Sequence, residues 1–215
     1  MLLAGSVAGP AGEAQPRHLI NLHGRIVQVE QSRRPSHPQY GHYELERILD
    51  TFREQDFVVS GELRSKSATL SDSADHVVAQ VRTLLASGVP AESVTVVGAS
   101  MGAAIALVAS ARLANPEVRF AVLGACLSES VRGLLAEEGK RPNGRVLSIR
   151  EASDDLEGPC PAWRDESGSG AALVVREIVL ETGLGHGFLY RPLPEWVDPV
   201  LAWSSPASTP SREPT

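Results

Sequence analysis

Residues 94–97, Val-Thr-Val-Val, are consecutive β-forming side chains, and they run straight into Gly98-Ala99-Ser100-Met101-Gly102 and then an Ala-rich apolar stretch to about Leu113. A continuous apolar run bounded by turn residues suits a strand buried on both faces. The apolar stretch that follows, rich in small side chains, suits a helix that lies close to a sheet. A strand that turns into a helix within so few residues constrains the chain strongly. The next strand can pair with this one only by a crossover, which makes the pair parallel and puts helices on the sheet faces.

The rest of the sequence repeats this rhythm. His18-Leu19-Ile20-Asn21-Leu22 reads as a strand ended by His23-Gly24, and Tyr43, Leu45, Ile48, Leu49 and Phe52 then recur at helical spacing up to Gln55. Phe57-Val58-Val59-Ser60 is the next strand. Ser71-Asp72-Ser73 supply N-cap candidates for a helix whose face carries Val77, Val81, Leu84 and Leu85, and Gly88 and Pro90 end it. Beyond the 94–113 unit come apolar runs at Phe120–Leu123 and Val146–Ile149, with a short helix between them through Leu134 and Leu135, then Leu173–Leu180 and a closing helix over Glu195–Trp203. The expected architecture is α/β: a three-layer sandwich with a mostly parallel sheet of about six strands. It spans 18–203 as one domain, between a flexible leader (1–17, with signal-remnant character) and a disordered, Pro-rich tail (204–215). Pro161–Gly170 also reads as a mobile loop.

Composition narrows the function classes. With 26 acidic against 20 basic residues, the formal net charge of −6 provides no broad basic surface for nucleic acid. No apolar run approaches the roughly 20 residues that cross a bilayer. Cys126 and Cys160 are too few for a disulfide framework or a Cys-rich zinc site, but they can form one bridge, which would favour export over the otherwise expected cytoplasmic location. The near-exclusive use of Arg over Lys suggests a GC-rich bacterial genome.

Gly98-x-Ser100-x-Gly102 between a strand and a helix has the form of a nucleophile elbow. The tight turn lifts the Ser100 hydroxyl clear of the sheet at a helix N-terminus, where the free N–H groups and dipole favour developing negative charge. A serine needs a base, and His186, in Gly183-Leu184-Gly185-His186-Gly187 behind the last strand, is the one histidine that follows it in the chain. The base needs an acid to hold its tautomer. Asp154 and Asp155 follow the Arg145–Arg150 strand; Asp154 is favoured, with Asp155 as the alternative. The oxyanion donors expected are the Met101 N–H and, from the turn after the first strand, the Arg25 N–H, with Gly24 as alternative. Arg64 and Lys66 read either as solvated loop charges or as ligands of an acidic substrate group, and Trp163 either as a side chain shading the pocket or as one packed on the sheet edge. His37 and His42 lack the Cys or carboxylate cluster of a metal site, so neither metal nor cofactor is expected.

These residues together resemble the α/β-hydrolase superfamily, in its compact lipase, esterase and dienelactone-hydrolase-like branch. The resemblance rests on His23-Gly24 after the first strand, Gly-Ala-Ser-Met-Gly at the elbow, Asp154 after the penultimate strand and Gly-His186-Gly after the last. It implies hydrolysis of a small-molecule ester through an acyl-enzyme, with thioesters, peptides, lactones or dienelactones as alternatives on the same residues. A binding protein of the same fold without the chemistry is the reading from another class. Two departures are expected: the usual two leading antiparallel strands have no room before His18, and only the short stretch 124–144 lies where many relatives insert a lid, so no cap domain is expected.

Overall fold

The structure is a computed structural model, and it describes residues 15–125, 128–156 and 173–205. Cys126, Cys160, Trp163, the Pro161–Gly170 loop and most of the expected leader and tail lie outside the described residues.

The β-branched runs form six strands: β1 (Arg17–Leu22), β4 (Phe57–Ser60), β5 (Val94–Ala99), β6 (Arg119–Leu123), β7 (Gly144–Glu151) and β8 (Leu173–Leu180). They make one sheet in the order β4-β1-β5-β6-β7-β8, and every neighbouring pair is parallel. Two short strands that periodicity could not reveal, β2 (Ser36–His37) and β3 (Gly41–His42), form a separate antiparallel hairpin.

Successive strand residues point to opposite faces, and the sheet divides its core accordingly. Ile20, Leu22, Val94, Val96, Phe120, Val122 and Val146 face one cluster, which α3 (Leu70–Ala86), α4 (Met101–Leu113) and α5 (Glu129–Glu137) cover. Leu19, Val97, Ala121, Leu123, Leu147 and Ile149 face the other, covered by α2 (Leu45–Arg53) and α6 (Pro194–Trp203), with Val27 from α1 (Arg25–Glu30). The result is a three-layer sandwich. Helix α4 is buried almost all round, which its run of alanines permits: it packs on β5 and β6 and against α3. Among the described residues, no helix is long and apolar enough to cross a membrane.

Several boundaries differ from the sequence reading. Helix α3 is capped by Thr69, two residues ahead of the expected Ser71-Asp72-Ser73. Thr69 Oγ1 accepts the Asp72 N–H (3.1 Å) and donates to Asp72 Oδ2 (2.7 Å), while Ser73 is buried. Arg17, assigned to the leader, opens β1, and Ser204, assigned to the tail, is buried with its hydroxyl on the Val200 carbonyl.

The strand order reverses between β1 and β5: the chain goes from β1 outward to β4 and returns on the other side. Open parallel sheets present their ligand crevice at the C-terminal strand ends at such a point. The turn after β1 and the turn after β5 meet there.

Candidate active site

Ser100 is the single residue between β5 and α4, with backbone angles φ 53° and ψ −116°. A side chain in this region carries strain of about 1–3 kcal/mol, held in place only by surrounding structure. The Ser100 N–H donates to the Leu123 carbonyl (2.8 Å), which pins the turn to the end of β6. The close approach also needs the flanking glycines: a Cβ on Gly98 would collide with the Gly102 carbonyl, and one on Gly102 with the carbonyl of Leu22 at the end of β1.

Beyond β8, residues 185–190 form a 3₁₀ turn that carries His186, only 8% exposed. The Ser100 hydroxyl lies 2.9 Å from His186 Nε2, and His186 Nδ1 lies 2.7 Å from Asp154 Oδ2. An ionised carboxylate can only accept, so Nδ1–H donates to Asp154 and Nε2 is left to accept from Ser100. Asp154 is buried and its second oxygen accepts the Leu156 N–H (3.0 Å); Asp155 is exposed. The structure thus brings Ser100, His186 and Asp154 into one chain of hydrogen bonds and leaves Asp155 outside it.

A second buried carboxylate ties the loops that carry this chain. Glu151, at the end of β7, accepts from the Thr182 N–H (3.0 Å) and hydroxyl (2.7 Å), the Gly183 N–H (3.2 Å), and the Ser153 N–H (3.3 Å) and hydroxyl (3.0 Å). Ser153 Oγ in turn accepts the Gly185 N–H (3.1 Å). The segment before Asp154 and the segment before His186 are therefore laced to one side chain. Burial works to raise the Glu151 carboxyl, but the Thr182 and Ser153 hydrogen bonds outweigh it and hold the group below the usual glutamate range.

On the opposite side, the turn after β1 abuts the elbow: a Cβ on Gly24 would lie 3.9 Å from Ser100 Cβ. Gly24 is the N-cap of α1 and its N–H points to the Tyr43 hydroxyl at 3.5 Å, whereas Arg25 is the first helical residue, whose N–H has no intrahelical acceptor. Met101 holds the same position in α4. His23 is fully buried: its Nδ1–H donates to the Gly24 carbonyl (2.9 Å) and its Nε2 accepts the Arg64 N–H (3.1 Å). Burial, and then the Arg64 charge, push its pKa down to about 4, so it stays neutral. Arg64 itself turns inward and donates to the His23 carbonyl (2.6 Å), and burial pulls it down to about 10. The expectation that Arg64 is a solvated loop charge is corrected: its guanidinium turns inward and braces the turn after β1. Burial raises the Tyr43 phenol beside it to about 12.

The β2–β3 hairpin contacts the histidine loop. Tyr40 stacks on His37 (ring centroids 4.6 Å apart) and packs edge-on against Tyr190 (5.4 Å), and a Cβ on Gly187 would lie 2.8 Å from the Tyr40 ring. Among the described residues no group of three or more His, Cys, Asp or Glu could hold a metal ion.

No protein-family model and no curated protein matches the sequence. Solved structures do match. SOBER1 of Arabidopsis thaliana superposes with a TM-score of 0.57 at 13% identity, covering 87% of this chain and 97% of that one. A phospholipase/carboxylesterase from Dyadobacter fermentans gives 0.52 at 16% identity over 77% of this chain and 80% of its own. MGS-M1, an alpha/beta hydrolase enzyme from a Medee basin deep-sea metagenome library, gives 0.54 at 15% identity over 88% and 83%. The chain has the α/β-hydrolase fold.

Within this α/β-hydrolase fold, the described sheet has no antiparallel strand, and only residues 124–143 separate β6 from β7. Glu151, Arg64 in its inward position and the Tyr40–Gly187 contact were not singled out from sequence. A glutamate at a strand end, an arginine in a polar loop and a tyrosine beside a glycine carry no local signal of where their partners lie.

Proposed function

We propose that the protein is a serine hydrolase that cleaves small carboxylic esters through an acyl-enzyme. The observation that carries this reading is the hydrogen-bonded chain from the Ser100 hydroxyl (2.9 Å) through His186 to Asp154 (2.7 Å). Ester chemistry is also what the name of the Dyadobacter fermentans phospholipase/carboxylesterase describes for that protein.

In the proposed reaction His186 Nε2 takes the Ser100 proton as Oγ attacks the acyl carbon. Charge that develops on the carbonyl oxygen is met by the N–H groups of Met101 and Arg25, the first residues of α4 and α1. Asp154 stabilises the imidazolium without taking its proton. His186 then passes that proton to the departing alkoxide, which leaves as the alcohol and an ester on Ser100. Water, deprotonated by His186, attacks this ester, and the proton returns to Ser100 as the acid is released. Gly24 is the weaker candidate for the second donor, because its N–H is directed at Tyr43.

The test is Ser100→Ala. Turnover of a short-chain aryl ester should fall by about 10³-fold or more, and labelling by a fluorophosphonate probe should disappear, with the circular dichroism spectrum and Tm retained. Turnover and labelling equal to wild type would refute the assignment. With so short a connection between β6 and β7, small dissolved esters are the expected substrates; strong activation at an oil–water interface would count against that.

A further inference from the structure

Beside the elbow a cleft of about 300 Å³ opens between α1, the segment after Arg64, and the first turns of α3 and α4. Its apolar wall is made by Val29, Leu70, Met101 and Ile105, and its cations are Arg25 and Lys66. No Asp or Glu lines it. Both cations are exposed, and among the described residues neither takes part in an ion pair.

Lys66 stands on a fixed support. The Ala68 N–H closes a turn onto the Ser65 carbonyl (3.0 Å), the Gln28 side-chain amide donates to the carbonyls of Ser65 (3.0 Å) and Ala68 (2.9 Å), and Gln31 donates to that of Arg64 (3.0 Å). Helix α1 therefore carries Arg25 and also braces the turn that carries Lys66. The cleft adjoins the chemistry, because Met101 follows Ser100 directly and Arg25 follows Gly24. A chain with a formal net charge of −6 repels anions at long range. Two cations over an apolar wall, with no acid among the lining, are a local exception to that field.

We propose that this cleft holds an anionic end of the substrate, so that the enzyme prefers esters bearing a carboxylate on a short apolar arm over their neutral analogues. The proposal rests on the Ser100 hydrolase reading and assigns its substrate class.

Two substrate pairs test it: p-nitrophenyl adipate monoester against p-nitrophenyl hexanoate, with the charge on the acyl side, and para-acetoxybenzoate against its methyl ester, with the charge on the alcohol side. The expected result is a kcat/KM ratio of anion to neutral of about ten in at least one pair at low salt, shrinking towards one at about 0.5 M NaCl. Lys66→Glu should cut that ratio about tenfold and Arg25→Gln several-fold, while Lys140→Glu, the same charge change outside the cleft, should leave it unmoved. Ratios near one in both pairs, or a ratio that Lys66→Glu does not change, would overturn the proposal. If neutral esters turn over and Ser100 is labelled while the ratios stay at one, only the cleft assignment fails. If no ester is cleaved and no label is taken up, the hydrolase reading fails and the cleft assignment falls with it.

Discussion

Replacing Glu151 by Gln removes one charge and one acceptor from the side chain that laces the acid loop to the histidine loop. One oxygen takes the Ser153 N–H, the Ser153 hydroxyl and the Gly183 N–H; the other takes the N–H and hydroxyl of Thr182. A glutamine does least damage with its carbonyl in the first position. Its NH₂ group then faces the Thr182 N–H, and the Thr182 hydroxyl can rotate to accept. One half-buried N–H loses its acceptor and the charge assistance of the remaining bonds is lost, which together cost about 2–3 kcal/mol of folding free energy. Glu151→Ala, which orphans every donor, should cost about 3–5 kcal/mol. The pH dependence identifies the source. Because the folded carboxyl titrates below its ordinary 4.5, its contribution is complete above that value and is lost as pH falls through the folded pKa. Urea unfolding at a series of pH values from 7 to about 3.5 should therefore give a wild-type-minus-variant difference that is full at neutral pH and shrinks below 4.5. The same slackening should lower kcat for a neutral ester about tenfold or more with little change in KM. A difference under about 0.5 kcal/mol at pH 7, or one that does not shrink in acid, would refute the reasoning.

Two further outcomes follow from the same site. His23 is held neutral with its pKa pushed from 6.5 down to about 4, so its contribution is complete above 6.5 and is lost as pH falls from 6.5 to 4, by up to roughly 3 kcal/mol. Urea unfolding of His23→Gln should show a flatter profile across that window, and a parallel profile would contradict the neutral, buried assignment. Gly187→Ala drives a methyl group into the Tyr40 ring and should lower kcat about tenfold. Tyr40→Ala in the same chain should restore part of that loss, and strictly additive effects in the double-mutant cycle would show that the contact does not hold the histidine loop.

The parts of this site that were legible in sequence are those set by local chemistry. A β-branched run followed by small residues on both sides of Ser100 can hardly be anything but a tight strand-to-helix turn, and the strands around it follow from the same alternation. Helix α1 and the β2–β3 hairpin were missed because elements of six and two residues are too short to display a period. Asp154 and Asp155 are chemically identical neighbours, so only the path of the loop could separate them. Arg64 belongs to a polar loop by composition, yet its partner His23 lies 41 residues away in the chain.

By itself, then, the sequence determined the layering, the parallel sheet and the positions of the tight turn and the candidate nucleophile, because periodicity and steric tolerance act between near neighbours. Only the tertiary structure decided which carboxylate meets His186, which carboxylate holds the two loops together, and which cations line the cleft. Those choices depend on how charges and hydrogen-bond donors distant in the chain satisfy one another once water has been excluded, and no short stretch of sequence carries that information.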